Sequence, residues 1–84
     1  MSDHLDPLTI EPDRLARWKE VALLLGPSGE TVALELTDFA MDPVRHRLRR
    51  AGAAARYAAG VAPTTRAREI AGVLATEIEV AAEQ

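Results

Sequence analysis

The side chains best suited to chemistry in this 84-residue chain are five arginines between Asp42 and Gly60. A guanidinium is permanently charged and presents forked N–H donors, so it grips carboxylates and phosphates. On a helix, Arg45, Arg49 and Arg56, at spacings of 4 and 7, share one flank. Arg50, His46 and Tyr57 fall on the side opposite an alanine stripe. Such a face suits an acidic protein surface. It also suits nucleic-acid phosphates, whose contacts supply affinity without reading sequence. Internal neutralisation by Glu30, Glu35, Asp38 or the last helix is the plainer alternative. Tyr57, beside the arginines, would either stack on a base or pack half-exposed.

Nothing nearby completes a catalytic arrangement. The two histidines, His4 and His46, have no His or Cys at metal-ligand spacing. Ser2 and Ser28 lack a neighbouring base. The chain has no cysteine, which excludes thiolate catalysis, disulfides and cysteine zinc sites. Gly26-Pro27-Ser28-Gly29-Glu30 faintly resembles a phosphate loop but lacks the Gly-Lys-Ser/Thr ending. Glu77, Glu79 and Glu83 are not followed by the histidine of a carboxylate-bridged metal site. We therefore expect no catalytic, cofactor or metal residues, and a binder instead of an enzyme.

The elements that position these groups follow from spacing. Leu15, Trp18, Ala22 and Leu25 recur at 3, 4 and 3 after Pro12-Asp13, which predicts a helix over Asp13–Leu25 with Asp13 as N-cap. Trp18 falls on its core face. A β-hairpin pairing 21–25 with 31–36 through the Gly26–Gly29 turn competes with that reading. Val32, Leu34 and Leu36 alternate with Ala33, Glu35 and Thr37, which predicts a strand. Its partner would be Leu8–Ile10, Val21–Leu25 or another chain, because backbone amides need one. Asp42-Pro43 predicts the start of the arginine helix, and Gly60 its end. Val44, Leu48, Ala51, Ala55 and Ala58 form its apolar stripe. Thr64 or Thr65 caps a final helix whose buried face is Ile70, Leu74, Ile78 and Ala81. The short connection folds these two helices into an antiparallel pair. Val73 and Val80 fall off that buried face and form a second apolar strip. The expected fold is α+β and mainly α: two or three helices and one or two short strands. The expected organisation is one domain over 1–84, with 1–11 extended.

Composition bounds the function. Residues 1–41, 42–60 and 61–84 carry net charges of −5, +4 and −2. That mosaic differs from the global basicity of a dedicated nucleic-acid binder. A chain this short builds a thin core, so self-association is a natural route to more buried area. No secretory signal or membrane-length apolar run is visible, which points to the cytoplasm. Abundant alanine and arginine with a single lysine suggest a bacterial chain.

The order of features over residues 8–84 resembles small tail-assembly chaperones of siphophages and gene-transfer agents. The resemblance rests on the expected strand Glu30–Leu36 and the alanine- and arginine-rich helix Arg45–Ala59. It implies a non-catalytic protein that binds tape-measure or tail-tube protein before assembly. The expected function is thus an adaptor or assembly chaperone that engages another protein, an acidic one by the chemistry of its arginines, and forms homo-oligomers. Its contacts would be Arg45, Arg49, Arg50, Arg56, Tyr57, Val73 and Val80. The alternative is a nucleic-acid-associated regulator, antitoxin-like or nucleoid-type, using the arginine helix over 43–59.

Overall fold

A computed structural model describes residues 6–84. Four helices follow one another: α1 (Pro12–Leu24), α2 (Pro27–Met41), α3 (Arg45–Val61) and α4 (Thr65–Ala82). Among the described residues there is no strand, and a single antiparallel bridge joins Pro7 to Val44. The expectation of an α+β fold with two or three helices and one or two strands is therefore corrected to an all-α fold of four helices.

The correction turns on residues 27–41. Val32 and Leu36 belong to both an alternating and a helical pattern, and Phe39 decides between them. Val32, Leu36 and Phe39, spaced 4 and 3, are all buried in α2, while Leu34 is 66% exposed. A strand would bury Leu34 with Val32 and Leu36 and gain nothing from Phe39. The helix buries the aromatic ring, the largest apolar area on offer in this segment. Pro27 occupies the first turn of α2, where its missing N–H costs nothing. Gly26-Pro27 thus ends one helix and begins the next, and the competing β-hairpin reading of 21–36 falls with the strand. Gly26 makes the turn with φ 67° and ψ −144°, a conformation open essentially to glycine alone. Gly29 then lets α2 cross α1 closely, since a Cβ there would stand 1.7 Å from the Ala22 carbonyl oxygen.

Two other boundaries moved for tertiary reasons. Asp42-Pro43 does not open α3. Val44 is extended, with φ −117° and ψ 150°, and pairs with the N-terminal segment. Leu8 N donates to the Pro43 carbonyl at 3.0 Å, and Arg45 N donates to the Asp6 carbonyl at 2.8 Å. A backbone carbonyl thus satisfies the first N–H of α3, while the Asp42 carboxylate accepts from Arg47 Nε at 3.1 Å. Leu8–Ile10 forms no strand; Ile10 instead buries its side chain in the core. At α1 the N-cap is Glu11 and Asp13 lies within the first turn, where its charge favours the helix dipole.

The C-terminal half matches its pattern. Leu48, Ala51, Gly52, Ala55 and Ala58 of α3 are buried against Ala71, Leu74, Ala75, Ile78, Ala81 and Ala82 of α4. The pair is antiparallel: Arg45 reaches Ala82 and Gln84, whereas Arg56 reaches Thr76 and Glu79. Alanine and Gly52 remove bulk from α3, so the axes approach closely; a Cβ on Gly52 would stand 3.3 Å from Glu79 Cγ. Thr64 caps α4 by accepting from Ala67 N at 3.0 Å. Successive helices pack on one another, and α4 returns against α1 to close the array. Trp18, Phe39, Leu36, Leu48, Ile78 and Val32 are the bulkiest fully buried side chains. No described helix is long and apolar enough to cross a membrane.

Candidate functional site

The arginines of α3 are largely committed within the molecule. Arg45 is the most deeply placed, its side chain 15% exposed. Its Nε donates to Asp6 Oδ2 at 2.8 Å, Nη1 to the Ala82 carbonyl, and Nη2 to the Gln84 carbonyl at 2.9 Å. One guanidinium fork therefore ties the N-terminal segment to the C-terminal end of α4, whose last carbonyls have no partner within the helix. Arg47 pairs with Asp42, and Arg50 Nε meets Glu35 Oε2 at 3.2 Å, joining α3 to α2. Arg56 meets Glu79 through Nε at 3.2 Å and Nη2 at 2.7 Å, and the same Nη2 reaches Thr76 Oγ1. That two-pronged hydrogen bond holds the Glu79 carboxyl below its ordinary range, partly opposed by burial, and raises Arg56 above its own. Arg49 and His46 also have interactions within the molecule. Ser2 and His4 lie outside the described residues. Among the described residues no three His, Asp or Glu side chains assemble into a metal-holding group.

The apolar candidates fare differently. Tyr57, Val73 and Val80 are 72%, 61% and 56% exposed. Val73 lies on the wall of an open groove between α1 and α4, with a volume of about 440 Å³. Trp18 and Val21 of α1 and Ile70, Val73 and Leu74 of α4 make it apolar; Arg17, Arg66, Glu69 and Glu77 put both signs of charge around it. Trp18 Nε1–H donates to Glu77 Oε1 at 3.1 Å, which satisfies the indole donor and pins the ring. Over the ring face the Arg14 guanidinium carbon lies 5.0 Å from the centroid, within cation–π range.

Beyond the ridge formed by Val73 and Glu77 lies a second, shallower depression, shared with Gly72, Thr76 and Arg56. The fold thus brings together Arg56 and Val73, two residues singled out from the sequence, along one face of α4. Val80 lies two turns further along the same helix from Val73. The fold does not bring Arg45, Arg50 and Tyr57 to this face. Sequence reading missed Trp18, Val21 and Glu77 as parts of a groove. Trp18 registered only as core, and its 59-residue separation from Glu77 leaves no local signal. No known protein family, curated protein or solved structure matches this chain.

Proposed function

We propose that this protein is a non-catalytic binding module that takes up an amphipathic helix of another protein in the groove between α1 and α4. The observation that carries the reading is the Trp18-floored apolar groove with exposed Val73 on its wall. A helix suits it better than a small molecule. Small-molecule sites enclose most of their ligand. This one is open, and Val73 and Glu77 also border the neighbouring depression that reaches Arg56, so an extended ligand has surface to follow. The mixed rim of Arg17, Arg66, Glu69 and Glu77 calls for an apolar ridge flanked by charges of both signs. An assembly chaperone for tail proteins is one form of this proposal, supported by the α3 composition; the other segment behind that resemblance, 30–36, is helical. The rival nucleic-acid reading draws on arginines of which Arg45, Arg47, Arg50 and Arg56 already face carboxylates.

Selection from a displayed library of helical peptides tests the proposal, with Val73→Glu as the counter-target. Peptides enriched on the native chain should carry large apolar residues at i and i+4, shift the amide resonances of residues 17–21 and 69–77, and perturb Trp18 fluorescence. Enriched peptides that bind Val73→Glu equally well would sink it, and so would an absence of enrichment.

A further inference from the structure

The groove just described uses only one side of α1. Val21, on the groove wall, and Leu23 stand about 200° apart around the helix. Leu23 therefore faces away, and it is 62% exposed. It borders a depression of about 420 Å³ with Glu30, Ala33, Leu34 and Thr37 of α2. Leu34 and Met41, seven residues apart, continue as an outward row on α2 and are 66% and 80% exposed. Leu23 and Leu34 line one depression, and Met41 adds a further exposed side chain on the same face of α2 as Leu34.

On its α2 side the charge around this patch has one sign. Residues 27–41 contain Glu30, Glu35 and Asp38 and no lysine or arginine. Glu35 is held by Arg50. Glu30 and Asp38, at the two positions four residues either side of Leu34, border the exposed row. On α1, Lys19 and Glu20 precede Leu23 by four and three residues and offset one another. A second copy of this chain is a poor occupant. A two-fold axis through Leu34 would set Glu30 and Asp38 of one copy against the same two carboxylates of the other, and like charges facing each other repel.

We infer that Leu23, Leu34 and Met41 form a second docking surface for a different protein segment, an apolar helix flanked by lysine or arginine. The anchors fill the depression beside Leu34, and the basic flanks meet Glu30 and Asp38. With the groove on the other side of α1, the chain holds two segments of different charge pattern at once, as a small bridging adaptor does. The two surfaces share no residue, so this inference stands or falls separately from the groove.

The test uses a synthetic helical peptide with leucines on one face and flanking lysines, beside a sibling in which glutamate replaces every lysine. The native chain is titrated with each and followed by amide chemical shifts. The leucine–lysine peptide should shift residues 23, 30–38 and 41, and the glutamate sibling should bind at least five-fold more weakly. Leu34→Ser and Met41→Ser, at exposed positions that spare the fold, should each weaken binding several-fold. A 150 mM rise in salt should also weaken it. Equal binding of both peptides, shifts confined to residues 17–21 and 69–77, or concentration-dependent self-association through Leu34 without peptide would each overturn the inference.

Discussion

Replacing Gly29 with alanine should unfold or nearly unfold this protein, although helix propensity alone predicts the reverse. Gly29 lies inside α2, and exchanging a helical glycine for alanine gains about 1 kcal/mol where space allows. Here the new Cβ would sit 1.7 Å from the Ala22 carbonyl oxygen and 3.0 Å from Leu25 Cβ. Ordinary contact requires α2 to move from α1 by about 1.5–2 Å. The obstacle is backbone, so no rotamer change relieves it. Overpacking of a core costs about 1–3 kcal/mol, and more where the clash is rigid. A single core of this size supplies only about 3–5 kcal/mol. The net loss therefore consumes most of the stability. Gly72 and Gly60 are the controls: each is helical and a Cβ would meet nothing within 4 Å. Alanine at either should stabilise by up to about 1 kcal/mol. Urea titrations followed by far-ultraviolet circular dichroism and by Trp18 fluorescence would measure all three. If Gly29→Ala matches Gly72→Ala, the close α1–α2 crossing is refuted.

Arg45→Ala should cost about 1–3 kcal/mol, because one substitution removes charge-assisted bonds to Asp6, Ala82 and Gln84. Arg45→Lys should restore little of it, since an ammonium cannot reproduce the planar fork; hydrogen exchange at Leu8 and Arg45 would report the loosened N-terminal segment. Trp18→Phe should destabilise by about 1–3 kcal/mol through the smaller ring and the lost donor to Glu77, measured by thermal melting. The Arg56–Glu79 pair predicts a sign in pH. Glu79 binds its proton less readily folded than unfolded, so its contribution is present above the ordinary carboxylate range, about pH 4.3, and fades as pH falls through the lower folded value. Glu79→Gln should therefore lose less stability than the native chain between pH 6 and 3, while above that range it is the less stable of the two; parallel acid-limb melting curves would show an excess loss in the variant if the reasoning fails.

Much of the scaffold was legible locally. The 3–4–3 spacing around Trp18 favoured α1 over a hairpin strand, the alanine stripe placed α3, and Thr64 with Ile70, Leu74 and Ile78 placed α4 and the antiparallel pair. These segments carry one period each over three or more turns, so neighbours along the chain specify them. The candidate site was legible only in fragments. Val73 stood out as an apolar residue off the buried face, but the tryptophan it faces reads as ordinary core from sequence alone. The arginines announced charge, and the plainer reading, neutralisation by Glu35 and by the last helix, is what Arg50 and Arg56 show; that Asp6 would meet Arg45 had no local signal.

By itself the sequence determined that helices α3 and α4 form, that Gly26-Pro27 breaks the chain, and that a basic helix lies between more acidic flanks, because each depends on residues within a few turns of one another; for α1 it favoured a helix and left a hairpin strand over 21–25 open. Tertiary structure alone decided that residues 27–41 coil instead of extending. Val32 and Leu36 satisfy both periods, and only a core ready to receive Phe39 separates them. It alone decided that Arg45 reaches Asp6 and that α1 and α4 leave a groove, since these join residues 39 and 59 positions apart, a separation over which no local pattern carries information.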